Sequence, residues 1–164
     1  MKNEKDIKDN RSLLSEEAFH RMTEHTNQVY KFVKLYNDYA KNARDYGTGE
    51  RVNMQAVHIM SDIEEHPGVT VTELAENWYR TKGSISQVIK QLDEQGYIIK
   101  KKEDNNNKNI HLYPTDRGVE LSLAHKLYDA KNLKQTLDYF GQYCTDEELA
   151  AFYKVLGYYT DLLR

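Results

Sequence analysis

The sequence predicts a mainly α-helical fold with a small β component, and three observations support this prediction. First, the 164 residues include only two prolines, and 39% of them are hydrophobic, which suits a single helical domain. Second, apolar residues recur at helical spacing over long stretches near both ends of the chain. Third, strand-like alternation of apolar and polar residues is clearest in one short segment, residues 97–113, which predicts a β-hairpin.

The two ends of the chain predict long amphipathic helices. We expect residues 1–14, which are polar and aperiodic, to form a mobile arm. The first helical region, residues 15–50, has Ser15 as a suitable N-cap. Its apolar stripe is about eight turns long and comprises Met22, Val29, Val33, Tyr36, Ala40 and Ala43. At the other end, residues 115–164 predict two helices, one opened by Thr115 and one by a capping box that starts at Thr145.

The segment between these helices, residues 53–114, predicts a separate compact core. A helix over residues 53–66 should end at the Pro67–Gly68 pair. A short β-type run follows at residues 69–71. The core is therefore predicted to begin with a helix and a short strand-like segment.

Two short capped helices come next, and their spacing predicts a helix-turn-helix. Thr72 is the expected N-cap of the first, residues 73–79. Thr81 is the expected N-cap of the second, residues 82–95, which Gly96 terminates. The hairpin over residues 97–113 follows directly, so the motif is predicted to be a winged helix.

Charge is unevenly distributed along the chain. The formal net charge is −3, yet residues 80–108 contain seven basic and four acidic side chains, whereas residues 51–79 contain one basic and five acidic side chains. A locally positive region on an acidic protein indicates that a polyanionic partner would bind at that region and not over the whole surface.

The second short helix has the composition of a DNA-reading helix. Ile85, Ile89 and Leu92 fall on one side and should be buried, while small and amide side chains fall opposite. A glutamine can pair bidentately with adenine in the major groove, and a free helix N-terminus favours phosphate. The predicted DNA-binding residues are Arg80, Thr81, Lys82, Gly83, Ser84, Ser86, Gln87 and Lys90 in the helix-turn-helix, and Lys101, Asn106, Asn107 and Lys108 in the wing.

The same residues also permit simpler interpretations. Gln87 and the two serines could be ordinary solvated surface, and the lysines could be a charged edge that prevents strands from pairing with other chains. Their position inside a helix-turn-helix and a wing favours double-stranded DNA as the partner.

Residues 69–118 resemble the DNA-binding core of the MarR family of bacterial transcription regulators. The resemblance is carried by "TELAE", by "GSISQVIKQLDEQGYI", and by the closing pattern of Leu112, Thr115 and Gly118. It implies a homodimer in which residues 15–50 and 115–164 are the dimerisation helices. It also implies sequence-specific binding to a pseudo-palindromic operator, repression, and release by a small aromatic ligand.

Two departures from the family pattern fall in the wing. The family usually has Asp-x-Arg at the wing tip, and these places hold Asn106 and Lys108 here. Pro114 stands where the family usually has leucine. Weaker wing contacts are therefore expected, and the alternative function is a winged-helix protein-interaction module that does not bind DNA.

The resemblance also implies a cleft between the dimerisation helices and the winged helix. In the family this cleft often takes small aromatic effectors. The candidate effector-binding residues in this chain are Tyr30, Tyr36, Tyr39 and His58.

Other classes of function lack support in the sequence. The lone cysteine, Cys144, excludes an internal disulfide and suits a reducing compartment. Neither a signal peptide nor an apolar run of about 18 residues is present, so a cytoplasmic protein without membrane contact is expected. No histidine pair has i,i+4 spacing, and no nucleophile–base pair or phosphate loop is evident. The sequence therefore predicts no metal, no cofactor and no enzymatic activity.

Overall fold

The computed structural model describes residues 16–103 and 106–163, and this part of the chain is mainly helical. The expected arm over residues 1–14 and the Ser15 cap lie outside it. The helices are α1 (Glu16–Lys41), α2 (Met54–Glu65), α3 (Val71–Asn77), α4 (Lys82–Glu94), α5 (Asp116–Phe140) and α6 (Asp146–Leu162). Strand β1 (Arg44–Asp45) pairs antiparallel with β2 (Arg51–Val52), and β3 (Ile98–Glu103) pairs antiparallel with β4 (Asn106–Pro114).

Side-chain caps begin most helices where the sequence predicts. Thr81, Thr115 and Thr145 each accept a hydrogen bond from the backbone amide three residues on. Each hydroxyl satisfies an amide that has no partner within its helix. Asn53 does the same for α2 through its side-chain oxygen. The caps therefore fix the starts of four helices by local chemistry alone.

The predicted cap of α3 is wrong by two residues. Thr70, not Thr72, is the N-cap, and it forms a capping box with Glu73. Thr70 has a glutamate at its third helical position, whereas Thr72 would have Ala75 there, so only Thr70 can form the reciprocal pair. The predicted β-type run at residues 69–71 is reduced to one bridge between Thr70 and His111.

The first helix ends earlier than predicted. Helix α1 stops at Lys41, and residues 44–52 form a small hairpin that the sequence analysis did not anticipate. The Asp45 carboxylate accepts hydrogen bonds from the amides of Gly47 and Gly49, which lower the pKa of Asp45. Both glycines have positive φ, so the turn between β1 and β2 depends on them.

The hydrophobic core is centred on α2. Its apolar residues pack beneath α4, β4 and the first half of α5. The fully buried side chains include Ile59, Met60, Ile63, Leu74, Ile85, Leu92, Tyr97, Leu112 and Leu121. The helix-turn-helix and the hairpin thus share one core with the start of α5.

The terminal helices contrast with this core, because their apolar residues are largely exposed. No residue of α6 is buried. The exposed apolar side chains at the two ends of the chain include Val33 and Tyr36 in α1, Leu133 and Leu137 in α5, and Phe152, Leu156 and Tyr159 in α6. An apolar surface of this extent on a folded chain indicates an interaction face. Within the described residues, no helix is both long and apolar enough to cross a membrane.

We predict that Gly118→Ala destabilises the fold strongly. A Cβ atom at this position would overlap the carbonyl oxygen of Tyr97 and lie 2.9 Å from Cε of Met60. Overpacking of this kind costs on the order of 1–3 kcal/mol or more, which urea denaturation would measure. Gly83→Ala is the matched control, because a Cβ there meets nothing within 4 Å. Equal stability of the two variants would contradict the prediction.

Candidate nucleic-acid interface

Helix α4 presents the predicted polar face to solvent. Ile85, Ile89 and Leu92 are buried, and this anchors one side of the helix in the core. The other side exposes Lys82, Gly83, Ser86, Gln87 and Lys90, with Ser84 half-buried at the margin. The helix therefore offers the small and amide side chains that a major groove can accept.

The turn before α4 is held by contacts to α2. The indole nitrogen of Trp78 donates a hydrogen bond of 3.0 Å to the Asp62 carboxylate. Tyr79 has a positive φ of 49°, and the amide of Arg80 donates back to the Ala75 carbonyl. These contacts set the angle between α3 and α4. The Arg80 and Thr81 side chains are exposed, and the Thr81 hydroxyl is engaged in capping α4.

No contact within the chain requires a glycine at position 83, at the start of α4. A Cβ at Gly83 would meet open space, although glycine in a helix is less stable than alanine by about 1 kcal/mol. An absent side chain at this position allows another molecule's backbone to approach the helix closely.

The wing places its lysines in unequal environments. Lys100 forms an ion pair of 2.8 Å with Asp93 of α4. The Lys101 ammonium lies 4.7 Å from the centroid of the Tyr113 ring and remains exposed, as does Lys102. Lys100 is thus partly neutralised, while its two neighbours keep their charge available.

The backbones of Asn106, Asn107 and Lys108 belong to β4, but their side chains lie outside the described part of the structure. Their predicted contact with DNA stays a prediction.

A polar network fixes the base of the wing. The Tyr97 hydroxyl donates to the Glu50 carboxylate at 2.5 Å, and the Arg117 guanidinium binds the same carboxylate. Burial and the Glu50 hydrogen bond raise the pKa of Tyr97 to about 12. Arg117 also donates to the Gln95 carbonyl. The end of α4, the first wing strand and the start of α5 are therefore linked to the β1–β2 hairpin.

The predicted effector-binding residues do not form one group. The Tyr36 ring lies 5.9 Å from Phe32 and 6.4 Å from Tyr39, measured between centroids. The Tyr39 ring lies under the Arg44 guanidinium, and Tyr30 is exposed on α1. The fourth residue, His58, packs edge-on against His125 instead.

A polar pocket of about 460 Å³ lies between α1, the start of α2 and the turn before α4. Its lining consists of Asn37, Ala40, Lys41, Asn53, Gln55 and Arg80, and none of the four predicted effector residues contributes to it. Arg80 therefore faces this pocket as well as flanking α4.

A cluster of potential metal ligands lies at the junction of α2 and α5. One ligand atom each from His58, His125 and Asp129 lies within 4.8 Å of the other two. Burial lowers the pKa of both histidines, which favours the neutral imidazoles that bind metals. A search for histidine pairs at i,i+4 spacing does not find this cluster, because its two histidines come from different helices. The i,i+4 spacing of His125 and Asp129 was the available signal.

Helices α3 and α4 with the β3–β4 hairpin define a winged helix-turn-helix protein. Residues 52–110, which include α2 to α4 and most of the wing, match the model of the MarR family. This confirms the resemblance inferred from the sequence.

Relatives are similar to this chain in sequence, and solved structures are similar to it in fold. The uncharacterized HTH-type transcriptional regulator YhjH of Bacillus subtilis is 26% identical over 107 residues, which are 65% of this chain and 61% of YhjH. FabT of Streptococcus pneumoniae, solved in complex with DNA, shares the fold with a TM-score of 0.62 and 19% identity, covering 88% of this chain and 96% of FabT. ZitR of Lactococcus lactis, also solved in complex with DNA, gives a TM-score of 0.63 at 22% identity. The match covers 85% of this chain and 97% of ZitR.

We predict a pH-dependent contribution of Glu73 to stability. Hydrogen bonds from the backbone and hydroxyl of Thr70 lower the pKa of Glu73 below its usual 4.5. A lowered folded-state pKa stabilises the protein above pH 4.5, and this stabilisation is lost as the pH falls through the folded value. Glu73→Gln should therefore cost roughly 0.5 kcal/mol at neutral pH and less near pH 3.

Urea denaturation of both proteins across this pH range would measure the difference. Glu24→Gln, on the exposed surface of α1, is the control and should show little effect. A stability difference for Glu73→Gln that does not change with pH would contradict the role assigned to its charge.

Proposed function

We propose that this protein is a homodimeric, sequence-specific DNA-binding transcription regulator. The observation that carries the proposal is the exposed face of α4 with Gln87 at its centre, beside the exposed lysines of the wing. The match of residues 52–110 to the MarR family model supports it, as do the similar transcription regulator YhjH and the DNA complexes among the structures of similar fold.

Base reading is assigned to the first turns of α4. Gln87 has an amide that can bind adenine N6 and N7 together, and Ser86 can donate or accept at either base type. Gly83 allows the helix to lie deep in the major groove. Phosphates would be bound by the N-terminal amides of the helix and by Lys82.

The wing is assigned a supporting role. Lys101 and Lys102 are exposed and can contact phosphates, whereas Lys100 already has Asp93 as a partner. The amide at residue 106 and the lysine at residue 108 replace the acid–arginine pair of the family pattern. Most of the sequence preference should therefore reside in α4.

The homodimer is inferred from the exposed apolar faces of α1, α5 and α6. A second copy of this chain is the natural partner, because the same faces can cover one another about a two-fold axis. Two recognition helices would then contact half-sites about one helical turn, roughly 10 base pairs, apart. A pseudo-palindromic operator follows from this symmetry.

Repression and release by a ligand complete the proposal. A dimer bound over a promoter would block transcription, and a small aromatic ligand near Tyr30, Tyr36 and Tyr39 would change the spacing of the recognition helices. Such a ligand can act only by binding more tightly to the arrangement that does not fit DNA.

We predict separable effects on specificity and on salt dependence. Selection from a random duplex pool should return sites with two-fold symmetry. Gln87→Ala should reduce discrimination at one base pair of each half-site by about 1–3 kcal/mol. Lys101→Ala should weaken binding to all sequences. It should also reduce, by about one, the slope of the logarithm of the DNA-binding constant against the logarithm of the salt concentration. Fluorescence anisotropy at several salt concentrations measures both effects.

Lys131→Ala, an exposed position on α5, is the matched control and should leave the slope unchanged. If the selection recovers no preferred site and no duplex binds in a salt-dependent manner, the DNA-binding proposal fails. The protein-interaction alternative would then be favoured.

We also predict that the dimer depends on the apolar face of α6. Sedimentation should give twice the chain mass of 19.3 kDa. Leu156→Glu, which places a charge on the face shared with Phe152 and Tyr159, should weaken the dimer at least about tenfold. Lys154→Glu, on the opposite side of the helix, should leave the dimer intact. A wild-type protein that is monomeric at all concentrations would contradict this prediction.

A further inference from the structure

We propose that Tyr79, in the turn between α3 and α4, contacts the sugar-phosphate backbone of DNA beside the major groove that α4 enters. This inference rests on the proposed function, because it requires α4 to bind duplex DNA. Tyr79 is not among the DNA contacts that the sequence predicts. Its side chain is 67% exposed, and it directly precedes Arg80 and Thr81, which are predicted contacts.

The backbone of Tyr79 has a conformation that a tyrosine rarely adopts. Its φ of 49° is the one positive value at a residue other than glycine within residues 16–103 and 106–163. In this left-handed region a Cβ atom lies too close to the following carbonyl oxygen, so a bulky residue there is an outlier. Strain of this kind persists mainly where the residue serves a function.

The end of α3 explains why the turn needs this conformation, but not why the residue is a tyrosine. The amide of Tyr79 donates to the Glu76 carbonyl, and the amide of Arg80 donates to the Ala75 carbonyl. This pair of hydrogen bonds is the Schellman motif, in which the residue after the C-cap is left-handed and is usually glycine. Glycine would close the same turn without strain.

The hydrophobic core does not account for the tyrosine either. Trp78, the preceding residue, packs against the core and donates its indole N–H to Asp62. Tyr79 is not part of that core, and most of its side chain faces solvent. The Trp78 anchor and the Thr81 cap hold the turn on both sides, so the ring is presented from a fixed backbone. A fixed backbone reduces the entropy lost when a contact forms.

The position of Tyr79 brings a phosphate within reach. The major groove is about 12 Å wide, and an α-helix with its side chains is about 10–12 Å across. A helix in the groove therefore has phosphates on both sides. Tyr79 lies three residues before Lys82, the first residue of α4, which is at most about 10 Å along the chain. Tyrosine hydroxyls are among the groups that donate hydrogen bonds to phosphate oxygens.

A tyrosine contact differs from the lysine contacts of the wing in a measurable way. The hydroxyl is neutral, so its hydrogen bond releases no counterion and leaves the salt dependence of binding unchanged. A phosphate contact also carries no base information. Loss of the Tyr79 hydroxyl should therefore weaken binding to every duplex by the same factor at every salt concentration.

Two substitutions separate a DNA contact from a structural role. Tyr79→Phe removes only the hydroxyl and should weaken binding about fivefold, with base preference and salt dependence as in the wild type. Tyr79→Gly removes the side chain and relieves the strain. It should weaken binding at least as much, while the urea concentration at the midpoint of unfolding rises. Fluorescence anisotropy with the duplex recovered by selection, and urea denaturation of the full chain, measure the two effects.

The contacted phosphate can be located directly. Methylphosphonate can replace one phosphate of that duplex at a time, which removes its charge and weakens it as an acceptor. At one position in each half-site, the replacement should reduce the affinity of the wild type more than that of Tyr79→Phe. Equal losses for the two proteins at every position would overturn the contact.

Tyr143→Phe is the matched control, because Tyr143 is 70% exposed and lies in the turn between α5 and α6. It should leave the affinity and the urea midpoint unchanged. The proposal is overturned if Tyr79→Phe and Tyr79→Gly bind like the wild type. It is also overturned if Tyr79→Gly lowers stability and affinity together, which would indicate a structural role.

Failure of this proposal can be distinguished from failure of the proposed function. Normal binding by the wild type, with Tyr79→Phe and Tyr79→Gly unaffected, overturns the Tyr79 contact alone. A wild-type chain that binds no duplex overturns the proposed function, and the Tyr79 contact with it.

Discussion

The first turn of α5 packs directly on the backbone that follows α4. The positions of α4 and the wing, which form the candidate nucleic-acid interface, depend on this contact. Thr115 donates from its hydroxyl to the Gly96 carbonyl and from its amide to the Tyr97 carbonyl. Gly118 has no side chain, so the helix can approach that same carbonyl within contact distance. Because Gly96 and Tyr97 connect α4 to the wing, their position fixes both elements at once. The threonine and glycine that carry the family resemblance are thus explained by packing.

The charge that each part of the surface presents depends on which charged side chains form ion pairs. Acidic side chains near the core are engaged: Glu64 and Glu65 bind Lys126, and Glu50 binds Arg117. The cations next to α4 are less constrained. Lys90 has a long, exposed ion pair with Glu94, which contributes little in water, and Lys101 keeps its charge exposed. A chain of negative net charge can therefore present a positive surface at one place, which explains how an acidic protein can be suited to DNA.

Features specified by nearby residues could be predicted from the sequence. The caps at Thr81, Thr115 and Thr145 depend on atoms three residues away, and the buried face of α4 follows from helical periodicity. The predicted boundaries of these helices and of the wing were accordingly close to those observed. The polar face of α4 could be predicted for the same reason, since it is the side of the helix opposite the buried face.

Features that depend on tertiary contacts could not be predicted in this way. Asp93 and Lys100 meet only because the chain reverses between α4 and β3. His58 and Asp129 are separated by most of the domain in sequence and meet only because α2 packs on α5. The β1–β2 hairpin was missed for a different reason, because the apolar stripe of α1 continues in the sequence to Ala43 and hides the end of the helix. The local signal there was the pair of glycines after Asp45.

The junction of α2 and α5 joins the winged helix to the long helix that leads away from it. Buried hydrogen bonds connect Ser61 of α2 with Ser122 and His125 of α5, and the Lys126–Glu64 ion pair closes the edge of this contact. A hydrogen-bonded contact between packed helices adopts discrete arrangements more readily than graded ones, because partial displacement leaves buried polar groups unpaired. The winged helix is therefore held in a defined orientation relative to α5. In the proposed homodimer, this orientation would set the spacing between the two copies of α4.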